Sequence, residues 1–368
     1  MTYPKERHLF LGGNTYKGFH SFYKYIITQK DANKILCMKG GPGTGKSSLM
    51  KKVATHFKNK GYSIEYHHCS SDNNSLDGIL IRELGLAILD GTAPHITDPI
   101  HPGAVDEILN IGVALDTKAL FLKKNEIMNL SKNISINFQR AYSFLASAKF
   151  IHDDWSRLNS QALSYDKTIT ITESLKEEIF NTQKPGFGDE RHLFSTAFTP
   201  NDIITFTNEL VSEFKNKFIL KGGPGFSKTS ILLELGKVAQ RKGYFVEYLH
   251  DPLIPNRIEH ILIPEISSCV LTENEISQCS FKGKVYNTKD FCNKSILLNN
   301  EIDIEYNKKL FYQLTNKATS FINQAHKLHD DLESYYINSM NFRILDNIYD
   351  DVIKKFEEEE NKVIGKNN

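Results

Sequence analysis

Cysteine is scarce in this chain. Five residues, Cys37, Cys69, Cys269, Cys279 and Cys292, are spread over 368 positions. That is too few and too scattered for a disulfide framework, and without a C-x-x-C pair the zinc and thioredoxin-like readings have no support. A surplus of one charge is missing too: Lys+Arg 45 against Asp+Glu 44 leaves a formal net charge of +1. A protein that neutralises nucleic-acid phosphates carries a basic excess, so no nucleic-acid partner is expected. No run reaches the 18 apolar residues of a membrane-spanning helix, and residues 1–10 lack the apolar core of a signal peptide. A reduced, cytoplasmic setting without membrane insertion is therefore expected. The 40% hydrophobic and 24% charged residues are an ordinary globular mix.

What the chain does have is a copy of itself. Arg7-His8-Leu9-Phe10 returns as Arg191-His192-Leu193-Phe194, and Lys39-Gly40-Gly41-Pro42-Gly43 returns as Lys221-Gly222-Gly223-Pro224-Gly225. Between 39–68 and 221–250, 13 of 30 positions are identical. His152-Asp153-Asp154 likewise matches His329-Asp330-Asp331. Two related units follow, 1–183 and 191–368, joined by a Pro/Gly-containing connector at 184–190. Within each, short apolar runs alternate with helical periodicity. Ile35–Lys39, Tyr62–Tyr66 and Leu86–Leu89 read as strands, and Leu49, Met50, Val53, Ala54 and Phe57 as one face of a helix. That alternation predicts an α/β fold with a parallel sheet flanked by helices. Stripes from Ile127 to Ala148 and from Leu314 to Leu332 step by three or four. They predict a long helical hairpin appended to each unit, at about 117–180 and about 303–360.

The segment Gly40-Gly41-Pro42-Gly43-Thr44-Gly45-Lys46-Ser47 satisfies the phosphate-loop pattern G-x-x-x-x-G-K-[ST] between a predicted strand and a predicted helix. Glycines let the backbone wrap closely, so that successive N–H groups face phosphate oxygens, and the helix N-terminus favours negative charge. Lys46 is expected to reach the β- and γ-phosphates, with Ser47 on Mg²⁺ and Ser48 in the first helical turn beside them. Asp90, closing its apolar run, has the place of a Walker B carboxylate and a second hold on the metal. The plainer alternative is a strand-end Asp in a turn. Gly91 follows it, so a water-activating base must come from elsewhere. Asp72, Asp77, Glu83 and His95 are candidates, with Arg82 as a possible charge stabiliser. Adenine recognition is expected near Arg7–Phe10 and Thr15.

The second loop, Gly222 to Thr229, is degenerate. Gly222, Gly223, Gly225, Lys228 and Thr229 remain, but Ser227 replaces a glycine and Thr272 stands opposite Asp90. The second unit is thus expected to bind nucleotide without hydrolysis, or to be a structural partner. Glu333 lies four residues after His329, on the same helical face, where a His/carboxylate pair could ligate a metal or orient a partner group. A half-exposed flank is the plainer reading of both His-Asp-Asp segments, and Glu357–Glu360 reads as a solvated helix end.

Taken together, the paired Arg-His-Leu-Phe starts, Lys-Gly-Gly-Pro-Gly loops, the Asp90–His95 segment and the His-Asp-Asp helices resemble a family of tandem bacterial P-loop NTPases. The resemblance spans nearly the whole chain. It implies ATP and Mg²⁺ held by Lys46, Ser47 and Asp90, with Lys46 and Asp90 also serving catalysis, and a Mg-dependent ATPase with one competent site. Its two units would pack as a pseudo-dimer, and an unknown protein partner remains open. The alternatives are a small-molecule or nucleotide kinase and a non-hydrolysing interaction module.

Overall fold

The computed structural model describes residues 3–92 and 96–367. Each repeat builds a six-stranded sheet, and the two sheets have the same strand order. In the first the order is Glu6–Phe10, Ile64–His68, Leu76–Ile81, Leu86–Asp90, Lys34–Lys39, Asp106–Asn110. In the second it is Glu190–Leu193, Val246–His250, Ile258–Ile263, Ser268–Glu273, Asn216–Lys221, Lys284–Asn287. The sheets are not wholly parallel, as the sequence had suggested. Leu76–Ile81 and Ile258–Ile263 each run antiparallel to both neighbours. Connection length explains this. Only the turn Arg82–Leu84 and Gly85 separate Ile81 from Leu86, whereas a parallel return needs about a dozen residues or more.

The helices are α1 (Lys46–Asn59), α2 (Thr117–Leu122), α3 (Lys124–Ser160), α4 (Tyr165–Ile179), the short α5 (Thr207–Leu210), α6 (Lys228–Arg241), α7 (Lys294–Asn299), α8 (Glu301–Ile337) and α9 (Phe342–Asn367). The apolar face of α1 is buried as its spacing predicts, at Leu49, Met50, Val53, Ala54 and Phe57. The long stripes are less uniform. In α3, Ala141, Leu145 and Ala148 are buried, but Ile127, Leu130, Ile134 and Phe138 are only half-buried.

The chain folds into two compact units, but they are not contiguous halves. One contains Lys5–Gly13, Ser21–Arg140 and the chain from Ser320 onward; it carries Lys46. The other contains Asn14–His20 and Ala141–Thr319 with the first residues of the chain; it carries Lys228. The reason lies in where the hairpins bury their apolar faces. In the Lys46 unit, Val352 and Phe356 of α9 share a core with Leu49, Val53 and Phe57 of α1. In the Lys228 unit, Leu175 and Ile179 of α4 share a core with Ile231, Leu232 and Leu235 of α6. Each α/β core is therefore completed by the helical hairpin of the other repeat. The segment expected to be a connector is bonded structure: Lys184 and Gly188 donate backbone N–H bonds to Lys242 and Gln240, at 2.8 Å and 2.8 Å.

The same packing corrects the reading of Glu357–Glu360. The Tyr62 hydroxyl donates to Glu360 at 2.8 Å and Lys60 pairs with both Glu357 and Glu360, so the buried Glu360 fastens α9 beside α1. All five cysteines are free. Among the described residues no helix is long and apolar enough to cross a membrane.

Candidate functional site

The loop Gly40–Gly45 leaves the strand Lys34–Lys39 and opens α1. Gly43 (φ +64°) and Gly45 (φ +79°) hold left-handed conformations that turn the chain into the helix. Lys46 is buried, and its Nζ donates to the carbonyl oxygens of Gly40 at 3.2 Å and Gly41 at 2.6 Å. The same nitrogen stands 3.5 Å from Asp90 Oδ2. Asp90 arrives there because its strand pairs in parallel with the loop strand, Met38 facing Asp90 in register. Its Oδ1 accepts from the Thr92 N–H at 2.9 Å, and the Thr92 hydroxyl donates to the Gly40 carbonyl at 2.8 Å. Ser47 Oγ accepts from the Leu76 N–H at 3.1 Å. Thr44 Oγ1 closes the loop on the Gly41 carbonyl at 2.8 Å. Pro42 is half-buried within the loop, and Ser48 faces solvent.

Sheet topology sorts the other candidates. The turn at 69–75, with Asp72, and the first residues of Leu76–Ile81, with Asp77, lie at the end of the sheet where Leu86–Asp90 finishes. Arg82 and Glu83 lie at the opposite end, between Ile81 and Leu86, and Glu83 accepts from the Ser63 N–H at 2.9 Å. Neither can serve a phosphate at Lys46. His95 lies outside the described residues. Asp77 is buried; burial, and then its charge, raises the Tyr23 phenol well above the usual range. The expected adenine contacts are also spent on structure: Arg7 bonds Glu65 at 2.5 Å, and Leu9, Phe10 and Thr15 are buried.

Two contributions to the loop go beyond the roles expected from the sequence. Lys39, just before the loop, donates to the carbonyls of Gly91 and Thr97 and to Asp98 Oδ1, each at 2.9 Å, and so ties down both ends of the segment after Asp90. The other is the end of α8. Glu333 Oε1 accepts from the Gly43 N–H at 3.1 Å. A Cβ on Gly41 would stand 2.5 Å from the Tyr336 ring, and one on Gly45 would stand 2.6 Å from Leu345. Those glycines thus also allow the close approach of α8 and α9. As its spacing suggested, Glu333 shares a face with His329, Nδ1 to Oε1 3.7 Å. Burial holds the His329 imidazole below its usual value, against the opposing pull of Glu333. The matching Lys39 and Lys221 before the two loops were one sequence signal; the acidic residue after His329 was the other.

The Lys228 unit repeats the geometry with different chemistry. Lys228 Nζ donates to the carbonyls of Gly222 and, at 2.9 Å, Gly223; burial lowers its pKa to about 8. Ser227 occupies the left-handed position at φ +54°. Thr229 follows in the first turn of α6. Thr272 donates through Oγ1 to the Glu259 carbonyl at 2.9 Å and supplies no carboxylate. The segment of α3 equivalent to the end of α8 covers the loop: Asn159 Nδ2 donates to the Pro224 carbonyl at 2.8 Å, and a Cβ on Gly225 would stand 2.1 Å from the Ser156 carbonyl. His152 is not a half-exposed flank. It is buried, with Nε2 2.5 Å from Glu275 Oε1. Burial alone would raise the Glu275 carboxyl, but the His152 bond and the nearby Lys228 and Arg257 charges hold it well below the usual range.

A family model described as Nephrocystin 3, N-terminal, matches residues 19–87. The matched stretch holds the loop, α1 and the strand Leu76–Ile81, and it stops three residues short of Asp90. No curated protein matches the chain, and no solved structure does. Among the described residues no cluster of three or more His, Cys, Asp or Glu could hold a metal by itself.

Proposed function

We propose that the Lys46 unit binds a Mg²⁺-nucleoside triphosphate, ATP, at Gly40–Ser47 and hydrolyses it slowly, as a P-loop NTPase. The observation that carries this reading is the meeting of a buried lysine, a carboxylate 3.5 Å from it and a glycine loop whose Gly43 amide already holds an anionic oxygen. Loop amides and the α1 N-terminus would bind the β-phosphate. Lys46 is stored on its own loop carbonyls, within reach of the γ-phosphate position. The site suits Mg²⁺, which binds through one or two protein oxygens, phosphates and water. The Ser47 hydroxyl and the Asp90 carboxylate are those oxygens. Bound there, the ion would neutralise charge developing on the phosphates. Thr92 orients Asp90, and of the base candidates expected from the sequence Asp72 and Asp77 are the described ones at this end of the sheet.

The Lys228 unit has no carboxylate at Thr272 and keeps a depressed lysine among Glu275, Asp251 and Arg257. It is read as a non-hydrolysing companion. A second reading, a nucleotide-dependent interaction module, is favoured by the helices lying on the Lys46 loop, because binding there would be felt by α8 and α9.

Phosphate release from Mg-ATP by wild type, Lys46→Ala and Lys228→Ala tests the first reading. Lys46→Ala is expected to lose about a hundredfold or more of the rate, the usual cost of removing one group that stabilises developing charge, while Lys228→Ala keeps most of it. Equal losses would remove the asymmetry. ATP binding without phosphate release would favour the interaction module.

A further inference from the structure

A carboxylate sits where a phosphate belongs. Glu333 Oε1 accepts the Gly43 N–H at 3.1 Å, in the concavity formed by glycines at φ +64° and +79° and the start of α1. Such a nest of amides at a helix N-terminus binds anions of any source. Glu333 does not hang into it from a flexible side. Tyr336 lies against Gly41, Ile337 against Gly43 and Leu345 against Gly45, so the last turns of α8 and the first of α9 rest on the loop itself. The corner between these helices is pinned on its other side: Asp116 N–H donates to the Ser339 carbonyl and Asn341 N–H to the Ala114 carbonyl, each at 2.8 Å. The equivalent corner over the second loop has Ser156 where the first has Glu333; both bring a backbone carbonyl close to the loop glycine, but only the first adds a carboxylate. The carboxylate is thus a feature of the intact loop alone.

We propose that Glu333 is an internal competitor of the nucleotide's phosphates, so that a triphosphate entering the Lys46 loop must displace the α8–α9 corner from it. This rests on the Lys46 loop being a nucleotide site, and it names how that site is regulated. Two anions would compete for the Gly43 amide, and a phosphate bound there would meet the Glu333 charge at close range, where like charges repel. Occupancy of the loop is thereby converted into movement of helices contributed by the second repeat. The pinned segment at 338–341, between two stiff helices, is the hinge about which such a lift would turn.

The test uses the full chain and N-methylanthraniloyl-ATP with Mg²⁺ as the probe, in wild type, Glu333→Ala, Glu333→Gln and Lys46→Ala. Removing the carboxylate is expected to tighten binding by about tenfold, with Glu333→Gln following if Glu333→Ala proves unstable. Hydrogen exchange across 329–345 is expected to speed up in wild type when Mg-ATP is added. If wild type binds through Lys46 but both Glu333 variants bind no more tightly and exchange at 329–345 is unchanged, the competitor is overturned and the nucleotide site stands. If Glu333→Gln lowers turnover without changing affinity, the carboxylate positions a reacting group instead and the proposal again falls. If none of the four proteins binds the probe, the nucleotide reading itself is wrong.

Discussion

Phe356→Ala puts the exchange of helical hairpins to the test. The Phe356 side chain is fully buried in α9, against Phe57 of α1 with ring centroids 6.1 Å apart and planes at 58°. Truncating a buried Phe to Ala costs about 3–5 kcal/mol, the spread reflecting how far the surroundings collapse into the cavity. At ~1.4 kcal/mol per decade this is a fall of roughly two to four powers of ten in protection against local opening. The structure says where the fall must occur: in α1 and the loop strand Lys34–Lys39, which share the core with α9. Hydrogen exchange read by mass spectrometry resolves those segments from α6. The mirror variant is Leu175→Ala, a fully buried position of α4 packed with α6. It is expected to cost about 2–5 kcal/mol and to expose Lys228–Arg241 instead. If Phe356→Ala deprotects α6, or Leu175→Ala deprotects α1, each hairpin covers its own repeat and the assignment of helices to cores is wrong.

Two further outcomes follow from individual residues. Glu259 is buried; that burial, and then the Asp251 charge, pushes its carboxyl up to about 8. The folded chain then keeps a proton that the unfolded chain releases above its ordinary value near 4.5, so this group withdraws stability as pH rises from about 4.5 to 8, by on the order of 5 kcal/mol. Glu259→Gln should flatten that slope in urea titrations at successive pH values; an unchanged slope would mean the group is ionised in the fold. Ser227→Gly should raise stability by up to about 1 kcal/mol, because the left-handed backbone at φ +54° costs an L-residue about that much and glycine's greater unfolded entropy returns only part of it. A lower melting temperature in the variant would show that the serine side chain stabilises the loop.

Much of this was legible because it is local. The apolar positions of α1 are spaced for one face, and all of them are buried. The loop glycines carry the positive φ that a tight strand-to-helix turn demands, and Asp90 closes its own apolar strand. The antiparallel strand was also within reach, since four residues between Ile81 and Leu86 cannot carry a parallel return. Glu360, by contrast, sits in a run of four acids that looks solvated, and only Tyr62 and Lys60, some three hundred positions away, make it a buried fastening.

By itself the sequence determined the duplication, the strand–loop–helix that carries Lys46, and the loss of a carboxylate at Thr272, the position matching Asp90. These depend on residue type and short-range spacing, which chain geometry translates directly into local structure. The parallel pairing that brings Asp90 to Lys46 is tertiary. Which helices cover which loop was decided by the tertiary structure. Both hairpins carry similar apolar stripes, so periodicity shows that each must be buried without saying against what. The choice was made by packing between segments roughly three hundred residues apart, where Phe356 meets Phe57 and Glu333 meets the Gly43 amide.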